Sequence, residues 1–121
     1  MFNVKTNAIH RRIDHLRQAY EQLPAAHLEA SRHAAETVRS HLADVAGEVG
    51  RNSEPLKVRD DGVGASVVIA DGPEGDALFD AEYGTDRSAP NPMFRNAVHA
   101  HNGVASSVYK EHLTKGIGIS W

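Results

Sequence analysis

Asp60-Asp61-Gly62-Val63-Gly64-Ala65-Ser66-Val67-Val68-Ile69-Ala70 holds the most convincing strand in this chain. Val63, Ala65, Val67 and Ile69 point one way and Gly64, Ser66, Val68 and Ala70 the other, the period of two that marks a half-buried strand. Asp61-Gly62 before it is a hairpin turn signal, and Leu56 and Val58 on the near side read as a short extended partner. On the far side, Asp71-Gly72-Pro73-Glu74-Gly75-Asp76 is a turn. Ala77 to Tyr83, with Leu78 and Phe79, then reads as a further strand or a short helix. A small, mainly antiparallel sheet is expected over about residues 56–83.

N-terminal to this region, Arg51 to Pro55 is polar and turn-forming, and the chain before it has the helical period. From Thr6 or Asn7, Ile9, Ile13, Leu16, Tyr20 and Leu23 recur at steps of four, three, four and three, with Arg11, Arg12, Asp14, Arg17, Gln18 and Glu21 on the other face. Pro24 interrupts the pattern. Leu28, Ser31, Ala34 or Ala35, Val38, Leu42, Val45 and Val49 then continue the same spacing, with Gly47 and Gly50 as stop signals. A helical hairpin and one long bent helix both fit this pattern. C-terminal to the sheet, Asn91 as a cap and Pro92 at the first helical position open a helix over about 92–114. The tail Gly116 to Trp121 alternates again, with Ile117, Ile119 and Trp121 on one side, and is expected to add as a strand to this sheet or a neighbour's. The expectation is one α+β domain over residues 1–121.

Composition narrows the function classes. The chain has 121 residues, a formal net charge of −3 and no cysteine. The charge gives no electrostatic footprint for nucleic acid or anionic membrane, and the missing thiols exclude disulfides, zinc thiolates and cysteine nucleophiles. No apolar run approaches the ~20 residues of a membrane span, and the N-terminus has no apolar signal core, so a soluble protein is expected. Hydrophobic residues make up 40% and aromatics 6% of the chain, which implies an aliphatic, alanine-rich core thin enough to favour burial between subunits.

The search for chemistry returns little. Eight histidines invite a metal reading, but His10 and His15 are five apart, His27 and His33 six, His33 and His41 eight, and His99 and His101 two. None has the spacing of three or four that puts two ligands on one helix face. Glu29 and His33 do have it, as an exposed ion pair. Gly62-Val63-Gly64 lacks the third glycine of a dinucleotide loop, no Gly-x-Ser-x-Gly elbow occurs, and the carboxylate pairs Asp60-Asp61 and Asp44-Glu48 fall on a turn and an exposed helix face. No catalytic residue, cofactor or metal ligand is singled out.

One segment carries a resemblance. Glu82-Tyr83-Gly84-Thr85, followed after a polar loop by Ala89-Pro90-Asn91-Pro92-Met93-Phe94-Arg95-Asn96-Ala97, resembles the hallmark of the gene-product-ten-like tail-component family of long-tailed phages. In that family a glutamate-aromatic-glycine-threonine strand end leads to alanine-proline, any residue, proline and then Phe-Leu-Arg-Pro-Ala at the start of the last helix. Met93-Phe94 and Asn96 depart from that pattern, and Leu56-Lys57-Val58-Arg59 matches the family's arginine-rich strand poorly. The resemblance implies a structural virion protein at the head–tail neck or the top of the tail tube, a terminator, completion or joining subunit. It implies a homo-oligomeric ring, six-fold like the tube, whose partners are the tail-tube protein and head–tail connector proteins, with DNA passing through the lumen without specific binding. Glu82, Tyr83, Gly84, Thr85, Pro90, Pro92, Phe94 and Arg95 are then the motif residues. Ile117, Ile119 and Trp121 would supply strand addition to a neighbour. Two rivals differ in class: a small cytoplasmic interaction or antitoxin-like regulatory module, which would show salt-dependent DNA binding, and a metal-dependent hydrolase, which would hold stoichiometric metal.

Overall fold

The computed structural model describes the backbone of residues 4–118 and the side chains of residues 9–118. Its elements are α1 (Val4–Glu48), β1 (Leu56–Asp60), β2 (Ala65–Ile69), α2 (Pro73–Tyr83) and α3 (Met93–Ile117). The architecture is α+β, with an antiparallel hairpin between a long N-terminal helix and a C-terminal helical pair.

Of the two arrangements open for the N-terminal half, the chain adopts the single helix. α1 runs for 45 residues with Pro24 inside it, so Tyr20 loses the amide donor it would otherwise bond. The flanking leucine and alanines are good helix formers, and the helix continues through the gap. It ends where glycine permits: Gly50 has φ 71, and the Arg51 amide donates back to the Ala46 carbonyl at 2.8 Å.

The hairpin is shorter than expected. β1 and β2 pair in the register Leu56↔Ile69 and Val58↔Val67, and Val63, expected on the strand, sits in the turn at 71% exposure. Asp61 builds that turn, its Oδ1 accepting the amides of Val63 and Gly64, each at 2.9 Å.

The segment left open as strand or short helix is helix. α2 begins inside the expected turn, with Pro73 at its start and Glu74 and Asp76 in its first turn, where acids complement the helix dipole. Leu78 and Glu82 are then buried together on one helical face. Gly75 lets this helix lie on the strand end, since a Cβ there would stand 1.9 Å from the Ala70 carbonyl oxygen.

The C-terminal strand is also corrected where it can be seen. Gly116 and Ile117 complete α3, which closes at Gly118 (φ 69). Helix wins because Gly116 packs against α1: a Cβ there would be 2.7 Å from the Ala26 Cβ. Ile119 and Trp121 lie outside the described residues.

α3 runs antiparallel to α1. At one end Leu42, Ala46, Leu56, Leu78, Phe94 and Ala97 form a buried cluster, flanked by Val67 and Ile69 of the hairpin. At the other end Ala26, Ala30 and Leu113 form a second, with Tyr109 and Ile117 against it. The α1–α3 seam is alanine-rich, which brings the two backbones close.

Candidate interaction site

The motif segment Glu82 to Arg95 folds around one buried carboxylate. Glu82, in the last turn of α2, is 2% exposed. Its Oε1 accepts the Phe94 amide at 2.8 Å, and its Oε2 accepts the Arg95 amide at 3.1 Å and Arg95 Nε at 2.8 Å. The Arg95 guanidinium also donates to the Glu82 carbonyl at 2.9 Å. The first amides of a helix have no partner within it. Here a glutamate twelve residues upstream satisfies two of them, with charge of the sign the helix N-terminus favours. The expected cap is displaced accordingly. Pro92 rather than Asn91 is the residue before the helix and makes no side-chain cap, while the Asn91 carbonyl accepts the Met93 amide at 2.8 Å.

The connecting loop is fixed at both ends. Gly84 has φ 81, and a Cβ on it would come within 2.8 Å of Pro90 N and 2.9 Å of Pro90 Cδ. Only glycine combines that dihedral with that approach. The Thr85 hydroxyl accepts the amides of Arg87 (3.2 Å) and Ser88 (3.1 Å). The Asn91 amide donates to the Ala81 carbonyl at 2.9 Å, stitching the loop back to α2.

The outward face of this lock is aromatic. Tyr83 lies 4.7 Å from Phe79 by ring centroids, and the Arg95 guanidinium carbon stands 4.7 Å over the Tyr83 ring. Phe79 and Tyr83 are nonetheless 53% and 51% exposed. Beside them an open cleft of about 470 Å³ runs between the hairpin and α3, lined by Leu56, Val67, Tyr83, Phe94, Arg95 and Asn102 among others. Both oxygens of Glu82 are already engaged, so the carboxylate holds the loop and the arginine in place. The site can present a rigid, half-apolar surface.

The structure thus brings Glu82, Tyr83, Phe94 and Arg95 into contact and builds the loop from Gly84, Thr85, Pro90 and Pro92. Ile117 does not join them. It sits at the opposite end of α3, about 35 Å away at 1.5 Å per residue. The capping role of Glu82 had no short-range signal in the sequence, because its partners are twelve and thirteen residues on.

The histidines do meet, but across helices. His33 stacks on His112 (3.8 Å between centroids) and His41 on His101 (4.2 Å), while the Tyr109 hydroxyl and His27 Nδ1 hydrogen-bond at 2.6 Å. Linear spacing could not reveal these pairs, which follow from the antiparallel register of α1 and α3. Glu29 meets His33 at 3.0 Å as the i, i+4 step requires. Among the described residues no three histidine, aspartate or glutamate side chains converge as metal ligands.

No protein-family model, curated protein or solved structure matches this chain.

Proposed function

We propose that this chain is a non-enzymatic structural subunit of a long-tailed phage virion, a ring-forming protein at the head–tail neck or the top of the tail tube. One observation carries the reading: the residues that resemble the tail-component hallmark, Glu82 through Arg95, form a single interlocked unit. Glu82 and Arg95 clamp the start of α3, Gly84 and Thr85 turn the loop, and the result holds an aromatic surface open to solvent. A hallmark dispersed over unrelated surfaces would have argued against the reading. A rigid surface of this kind suits a part whose work is to fit its neighbours.

In this reading the subunits meet through head-to-tail contacts that close on themselves. The partners are further copies of the chain, the tail-tube protein and connector proteins. Six-fold symmetry matches the tube, and acidic character lets DNA pass without sticking.

The test is light scattering and particle imaging of the purified protein, alone and with tail-tube subunits. Closed rings, or caps on tube ends, are the expected result. A monomer or two-fold dimer indifferent to tail tubes overturns the proposal in favour of a small interaction module.

A further inference from the structure

We propose that the N-terminal arm of α1 in one copy docks on the exposed α2 face of a second copy, the contact through which subunits join head to tail. This rests on the reading of the chain as a self-assembling subunit and deepens it by naming the surfaces.

Among the described residues, α3 packs on α1 back to Ala26, beside Gly116 and Ile117, and of the residues further back Ala19 is buried. The helix continues N-terminally as an arm, carrying Ile9, Ile13, Leu16, Tyr20 and Leu23 at 39–77% exposure. Steps of four, three, four and three are the spacing of a seam that packs on another element. Contiguous apolar surface of this kind marks an interface.

Charge selects what covers it. Residues 1–23 hold four basic and two acidic side chains, whereas the remaining 98 hold nine basic and fourteen acidic. Among the described residues, the arm's Arg11, Arg12 and Arg17 make no ion pair. Arg12 and Arg17 flank the apolar seam, so packing arm against arm sets arginine near arginine. The complementary surface is α2. Residues 71–86 hold six acids and no base, and all of the acids but the buried, Arg95-paired Glu82 are exposed. On one face of the helix, at steps of three, one and three, stand Asp76, Phe79, Asp80 and Tyr83. Its two aromatics are half exposed, Tyr83 held under Arg95 and Phe79 against Tyr83, so docking orders little that is not ordered beforehand.

Geometry makes the contact intermolecular. The arm leaves the body beside the C-terminal end of α3, while α2 is clamped to the N-terminal end of α3 through Glu82. The two surfaces lie at opposite ends of a helix about 37 Å long. One copy's arm therefore meets another copy's α2, a heterologous contact that propagates and can close into a ring.

The chain has no cysteine, so paired single-cysteine variants report the contact directly. Ile13→Cys mixed with Phe79→Cys is expected to form an intermolecular disulfide about tenfold faster than Ile13→Cys mixed with Val104→Cys, or than Ile13→Cys alone. Arg17→Glu and Asp80→Arg should each weaken self-association, and the double variant should regain it. All these side chains are exposed, so circular dichroism should be unchanged. Equal disulfide rates, a dominant Ile13–Ile13 product, or a monomer at every concentration overturns the docking. Rings that form without the Ile13–Phe79 disulfide overturn the docking and leave the ring reading intact. A chain that neither cross-links nor joins tail-tube subunits overturns both.

Discussion

Glu82 is the side chain on which the motif depends. Replacing it by alanine strands two helix-opening amides and frees Arg95, and breaking such a partly buried charged network costs about 3 kcal/mol. Glu82→Gln keeps one carbonyl oxygen as an acceptor and is expected to cost about 1 kcal/mol. Chemical denaturation followed by circular dichroism measures both, and equal losses in the two variants would mean that the carboxylate acts by shape alone. His101 makes the opposite prediction. Its Nε2 is buried without a hydrogen-bond partner while its ring stacks on His41. Phenylalanine there keeps the stack and removes the orphaned nitrogen, so His101→Phe should be neutral or stabilising by about 1 kcal/mol. A loss of stability would show that the imidazole nitrogens take part in a network.

Among the elements, the hairpin turn carries the clearest pH dependence. The Asp61 carboxylate accepts the amides of Gly64 and Val63, and these bonds hold its pKa below the ordinary aspartate value. A folded pKa below the unfolded one stabilises above the unfolded value and is lost as pH falls through the folded one. The Val63 and Gly64 amides should therefore exchange faster as pH drops below about 4, after correction for intrinsic exchange. Asp61→Asn should show no such step, and a step that survives in that variant would assign it elsewhere. Much of this element was readable beforehand. The alternation through Val67 and Ile69 and the Asp61-Gly62 signal located the hairpin, and the spacing of Ile9 to Leu23 located the arm. What failed did so for physical reasons. Ala77 to Tyr83 is too short for periodicity to separate strand from helix, and the deciding contact, Gly75 on Ala70, is tertiary. The alternation at Gly116 and Ile117 gave way to packing on Ala26, and the cap at Asn91 gave way to Glu82.

For the whole molecule, the thin alanine-rich core anticipated from composition is what holds α1 to α3, and it leaves the arm of α1 and the aromatic face of α2 exposed. The segment Glu82 to Arg95 could be singled out in the sequence, but the union of its side chains could not, since it needs α2 and α3 brought end to end. The histidine stacks were likewise out of reach of linear spacing. An exposed apolar seam and an acidic aromatic face at opposite ends of α3 suit assembly. The most direct measurement is the mass and shape of the purified particle, by light scattering with imaging, in the presence and absence of tail-tube subunits. The account predicts closed rings near six times the 13.1 kDa of the chain, free or seated on tube ends. A chain that stays monomeric or forms a two-fold dimer, and leaves tail tubes untouched, would contradict it.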